Sequence, residues 1–128
     1  MEKSSTPGKK IWAFAAGNIP LESTGREPEF TSHDKVAILN PWERDASIVI
    51  SVIYASGEGV NYDVTVPARR VRKIRFNDLI DPLPVPLDRD FGFVLRSNVN
   101  VVVQFSRTYT GSKTAAIMGS TPYSKKDL

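Results

Sequence analysis

Apolar residues recur along the chain in short runs of period two, separated by Pro, Gly, Asn and Asp, which is the spacing of strands and not of helices. Residues 11–15 (IWAFA) open the series and residues 35–39 (KVAIL) follow. Residues 47–54 (SIVISVIY) are apolar on both parities, with Ile48, Ile50, Val52 and Tyr54 on one and Val49 and Ile53 on the other. Such a strand is predicted to be central and covered on both faces, by a second layer or by another subunit. Ser56, Gly57, Glu58 and Gly59 then form a turn signal leading into residues 61–66, where Tyr62, Val64 and Val66 alternate with polar neighbours. An antiparallel hairpin is predicted there. Pro67 lacks an amide donor and closes that strand. Residues 69–76 begin another, with Arg72, Ile74 and Phe76 opposite Val71, Lys73 and Arg75, so that one of its faces is cationic. Residues 91–95, 100–107 and 114–118 supply three more, about eight strands in all.

Between these runs, residues 17–32 hold Pro20, Gly25 and Pro28, and residues 77–90 hold Pro82, Pro84 and Pro86. Both read as surface loops, the second with a brief turn near Asp78 and Leu79. Residues 1–10 and 119–128 are polar and without apolar period, and are predicted to be flexible tails around a domain spanning 11–118. No stretch sustains helical periodicity. The fold class expected is all-β, an antiparallel β-sandwich of jelly-roll type, and 128 residues suit one such core.

Composition narrows the chemistry. The chain has no cysteine and one histidine, which excludes disulfides, thiol catalysis, thiolate metal sites and clusters of imidazoles. No cofactor or metal is expected. No apolar run approaches the roughly 18–20 residues that cross a bilayer, and the first ten residues lack the apolar stretch of a secretory signal, so a cytoplasmic location is expected. The net charge of +3 is local: Arg69, Arg70, Arg72, Lys73 and Arg75 place five cations within seven residues, and without them 12 cations face 14 carboxylates. An acidic partner would therefore meet one strip.

Several residues are candidates for binding. Arg69, Arg70, Arg72 and Arg75 offer forked donors to carboxylates, phosphates or acidic surfaces, or else keep an exposed strand soluble. Asn77 and Asp78 follow Phe76 and suit a turn. Gln104 is a polar group inside an apolar strand and must find a hydrogen-bond partner. Arg107 lies three positions on, hence on the opposite face. Trp12, Trp42, His33 and Asn40 together suggest a small polar ligand such as a sugar, since aromatic faces stack on pyranose rings while amides satisfy hydroxyls. Against that, Trp12 suits the core, Trp42 a turn, and His33 a solvated loop. Asp88 and Asp90 share a parity but lack an apolar pocket, and read as loop.

The segments IWAFAAGNIP, GREPEFTSHDKVAILNPWERDA, VTVPARRVRKIRFNDLIDPLPVP and VVVQFSR, spread over residues 11–121, resemble the sensory rhodopsin transducer-like family, with VPARR and RFNDL the most specific pieces. The resemblance implies a β-sandwich protomer, a cyclic homotetramer, no enzyme activity, and action by binding or signal relay, with the cytoplasmic face of a membrane photoreceptor as a partner. The residues alone leave two further readings open: a cytoplasmic sensor of a carbohydrate-like ligand, and a nucleic-acid-binding regulator acting through the basic segment. Strands apolar on both parities agree with assembly, because one sandwich of this size has more apolar strand surface than a single core hides.

Overall fold

The computed structural model describes residues 7–23, 32–111 and 116–126. Eight antiparallel strands follow in chain order: β1 (Lys9–Gly17), β2 (His33–Asn40), β3 (Ala46–Tyr54), β4 (Gly59–Val66), β5 (Arg70–Arg75), β6 (Phe91–Tyr109), β7 (Ala116–Ser120) and β8 (Tyr123–Lys125). Among the described residues a single 3-10 turn, Phe76–Asp78, follows β5. The all-β sandwich expected from the apolar spacing is the architecture observed. Residues 24–31 of the expected loop, 114–115 of the last expected strand, and 1–6 and 127–128 of the expected tails lie outside the described residues.

The long strand β6 builds the sandwich. Its residues 91–97 run between β3 and β1, and its residues 102–109 run between β2 and β7. Phe93 and Phe105 would stand about 40 Å apart on a straight strand. Their ring centroids are 6.4 Å apart, so β6 folds back on itself. One sheet thereby becomes two facing layers, β4–β3–β6–β1–β8 and β5–β2–β6–β7. The fold-back falls at a polar interruption of the apolar period: Ser97 Oγ accepts the Val99 N–H at 3.3 Å, and Asn98 Oδ1 accepts the Ser47 N–H at 2.8 Å.

That continuity corrects the sequence reading of two separate strands at 91–95 and 100–107. Alternation survives through the fold, because Phe91, Phe93, Leu95, Ser97, Val99, Val101, Val103 and Phe105 all stay buried. The eighth strand is β8, which pairs with β1 and lies in the stretch set apart as the C-terminal tail. At the other end, Lys9 and Lys10 already belong to β1. The predicted hairpin of β3 and β4 is present, turning at Gly57 with φ +90°, a conformation glycine adopts without strain.

The core is dense in aromatics. Phe14 stacks on Phe105 at 4.1 Å, and Phe76, wholly buried on its 3-10 turn, meets Phe91, Phe93 and Phe105 at 5.0, 5.3 and 6.4 Å. On β3 the expectation of two covered faces fails within one chain. Ile48, Ile50, Val52 and Tyr54 are buried, whereas Ile53 on the opposite parity is 46 % exposed and Val49 only half-covered.

Candidate functional site

The basic segment does not form one strip. A strand alternates its side chains between faces, so cations packed into consecutive positions must divide. Lys73 and Arg75 stand opposite Ala37 and Lys35 and point outward, while Arg70 and Arg72 stand opposite the buried Asn40 and Ile38 at the edge of the layer. Arg72 Nη1 donates to the Thr65 carbonyl of β4 at 2.9 Å and so bridges the two layers. Arg70 Nη1 donates to the Ala68 and Arg69 carbonyls at 3.2 and 3.3 Å. Arg69 occupies the left-handed turn position, φ 56°, and its N–H donates to the Trp42 carbonyl. Arg75 Nε lies 4.0 Å from Asp78 Oδ2, the long limit of an ion pair. The expectation of a single cationic face on this strand is thus corrected to a split set, with two arginines spent on backbone carbonyls.

The segments NPWERDA and VPARR meet in space. Asn40 is wholly buried, and its amide donates to the carbonyls of Arg44 (2.8 Å), Val66 (3.1 Å) and Pro67 (3.3 Å) while its Oδ1 accepts the Trp42 N–H (3.0 Å). Asp45 Oδ1 accepts the Ala68 N–H at 2.9 Å. One amide thereby ties the β2–β3 turn to the β4–β5 turn, satisfying backbone groups that burial would otherwise orphan. Trp42 packs half-buried against the core beside it.

A second polar cluster joins β1, β2 and β6. Arg107 and Asp34 are cross-strand partners, and the guanidinium grips the carboxylate at both ends, Nε–Oδ1 2.7 Å and Nη2–Oδ2 3.1 Å. Asp34 is wholly buried; it also accepts the Asn18 N–H at 2.7 Å, and Arg107 Nη2 donates to the Ala16 carbonyl at 2.8 Å. The Asp34 hydrogen bond, opposed by burial, raises the Arg107 pKa above its ordinary value. Asn18 Nδ2 in turn donates to Asp90 Oδ1 at 2.7 Å. Sequence reasoning picked Arg107 and missed Asp34. The signal was present, since Asp34 shares its parity with Val36, Ile38 and Asn40, and a carboxylate on a core-facing row needs a counter-charge.

The remaining candidates scatter. Trp12 is buried, and its indole N–H is shared between the Lys9 and Val101 carbonyls, both at 3.1 Å. His33, expected in a solvated loop, is instead buried at the start of β2 opposite Thr108, because β2 begins earlier than its apolar run. With Asn40 also consumed inside, Trp12, Trp42, His33 and Asn40 do not form the stacking face a sugar requires. Asn77 donates to the Ser32 carbonyl at 3.2 Å on the 3-10 turn, and Asp78 is exposed. Gln104 lies outward on β6, on the face opposite that of Arg107, as the spacing predicted.

Two outer faces remain. Over the β3–β6–β1 layer an apolar shallow hollow of about 660 Å³ is lined by Ala13, Ala15, Ile53, Val94, Pro122 and Tyr123, among others. Over the β5–β2–β6 layer a hollow of about 530 Å³ with a mixed polar and apolar lining is bounded by Lys35, Ala37, Lys73, Gln104 and Ser106 together with the β7 end.

The chain matches the family model described as Anabaena sensory rhodopsin transducer over residues 7–124. Among solved structures it is similar to the Anabaena sensory rhodopsin transducer, with 48% identity and a TM-score of 0.71 over 78% of this chain and 88% of that one. It is also similar to Thermotoga maritima 1070, with 25% identity and a TM-score of 0.83 over 96% of this chain and 100% of that one. None of the curated proteins matches it.

Proposed function

The chain belongs to the Anabaena sensory rhodopsin transducer family, and from that premise we propose that it is a non-catalytic relay module that binds the cytoplasmic face of a rhodopsin-type membrane photoreceptor. The family match across nearly the whole chain carries this reading. The polar groups that could have suggested chemistry have structural employment: Asp34 and Arg107 hold three strands together, and Asn40 clamps two turns. No helix among the described residues is long and apolar enough to cross a membrane, and the proposal places the protein in the cytoplasm, meeting its receptor from that side.

Self-association belongs to the same reading. The outer face of the β3–β6–β1 layer carries Ile53, Val94 and Tyr123, the last 70 % exposed, with Ala13 and Ala15 beside them. A contiguous apolar face of this kind is stabilised by covering it, and the proposal gives that role to sister copies in a homotetramer.

The test uses the purified full chain and the rhodopsin encoded in the same genome, reconstituted in nanodiscs, with binding followed by thermophoresis in darkness and under illumination. Saturable binding that changes on illumination is expected. A genome without any microbial rhodopsin, or no binding in either condition, defeats the reading.

A further inference from the structure

The outward face of the β5–β2–β6 layer is ordered in rows by strand register. Val71, Leu39 and Val102 form one row, Lys73, Ala37 and Gln104 the next, and Arg75, Lys35 and Ser106 the third. The first row is apolar and open, with Val71 59 % and Leu39 42 % exposed. The second dips at Ala37, between an ammonium and an amide. The third adds Lys35 and Arg75, the latter 20 % exposed and 4.0 Å from Asp78. Among the described residues no carboxylate lies within ion-pair distance of Lys35 or Lys73, so this face has an electrostatic deficit that a negative partner fills.

We propose that this face docks an extended acidic segment of a protein partner, laid along the strands over the dip at Ala37 with an apolar side chain on Leu39 and carboxylates on Lys73 and Lys35. The inference rests on the relay reading only in taking the protein to act by binding another protein. Successive rows are separated by two residues of strand, about 6.8 Å, which is also the repeat of same-side positions in an extended peptide. The matching pattern is therefore apolar-x-acidic-x-acidic. Gln104, with donors and an acceptor on one exposed amide, is placed to satisfy the peptide's backbone groups.

Charge sets aside two other occupants. A second copy meeting this face with the same face would set Lys35, Lys73 and Arg75 against identical cations. A bilayer is a poor fit as well, since interfacial binding inserts an apolar face by roughly 5–10 Å and polybasic membrane sites gather about 4–8 cations. This face is a flat ladder with three.

The probe is a fluorescein-labelled synthetic peptide with the repeat Leu-Ser-Asp-Ser-Asp, compared with its Leu-Ser-Lys-Ser-Lys counterpart, with duplex DNA and with phosphatidylserine vesicles, using the full chain. Saturable anisotropy is expected for the acidic peptide alone, weakening at higher salt as exposed charge pairs are screened. Lys35→Glu/Lys73→Glu should weaken it about tenfold or more, since two close charge pairs turn from attraction to repulsion, while Arg70→Gln at the layer edge leaves it unchanged. Lys73→Glu alone, at an exposed position, guards against misfolding and should give an intermediate loss with an unaltered circular dichroism spectrum. Equal binding by the reversed variants overturns the proposal, as does preference for DNA or vesicles over the peptide. If the nanodisc rhodopsin binds and the acidic peptide does not, this face falls and the relay reading stands. If the peptide binds as described and the rhodopsin does not, the reverse holds.

Discussion

Replacing Arg107 by methionine tests whether the buried ion pair holds the sandwich together. The guanidinium of Arg107 is 24 % exposed and the Asp34 carboxylate is fully buried. Removing the cation leaves Asp34 with the Asn18 N–H at 2.7 Å as its remaining hydrogen bond and no counter-charge. It also deprives the Ala16 carbonyl of its donor. Breaking a buried pair from one side costs about 3–5 kcal/mol, a large part of the roughly 5–15 kcal/mol that holds an ordinary domain folded. For a chain of this size the loss corresponds to a fall in Tm of about 10–20 °C. Urea unfolding monitored by tryptophan fluorescence reads the change, and Asp34→Leu/Arg107→Met provides the control. Because an apolar pair of similar volume needs no desolvation of charge, the double variant should recover most of what the single one loses. The Arg107 pKa is raised mainly by the Asp34 hydrogen bond, so the sign of the pH effect follows. The contribution is complete below the ordinary arginine value and is lost only as pH climbs past it. A cost under about 1 kcal/mol for Arg107→Met, or a double variant as weak as the single one, would refute the reasoning.

Four further outcomes rest on the same structure. Asn40→Ala removes donors to the Arg44, Val66 and Pro67 carbonyls; it should cost about 2–3 kcal/mol in urea unfolding and expose the β4–β5 turn to proteolysis at Arg69. Tyr54 is buried, and its hydroxyl has no partner among the described residues, so Tyr54→Phe should leave stability unchanged or raise it by about 1 kcal/mol. Burial, against the opposing charge of Arg89, raises the Tyr54 pKa, and burial likewise raises that of Tyr62. Their contribution to stability is therefore complete below the free tyrosine value and is lost as pH rises from there through their folded values, which an alkaline titration at the tyrosinate absorbance should show as late ionisation. Ile53→Glu puts a charge in the middle of the apolar outer face; light scattering should report dissociation of the proposed tetramer, and an unchanged assembly would move the contact elsewhere.

The family segments show why some parts were legible and others were not. NPWERDA and VPARR stand out in the sequence as unusual combinations, yet nothing in one dimension says that Asn40 and Asp45 bond to Val66, Pro67 and Ala68. Arg107 is visible as a cation in an apolar strand, whereas its partner Asp34 precedes the apolar run that begins at Lys35, two residues inside the observed β2. Gln104 and Arg107 were placed on opposite faces correctly, since strand parity is a local property.

Parity, turns and the all-β class were settled by the sequence, because each depends on a residue and its near neighbours: alternation fixes which side chains share a face, Pro67 ends a strand, and Gly57 permits a tight return. Three matters were decided only by tertiary structure. The fold-back of β6 joined two apparent strands into one, since its cause lies in aromatic packing between residues far apart in the chain, with Phe93 and Phe105 drawn to 6.4 Å. Cross-layer reach turned Arg72 from a free cation into a bridge to Thr65. Strand register lined up Val71 with Leu39 and Lys73 with Ala37, producing a mixed apolar and cationic surface that no single segment contains, because long-range pairing assembles a face from strands distant in sequence.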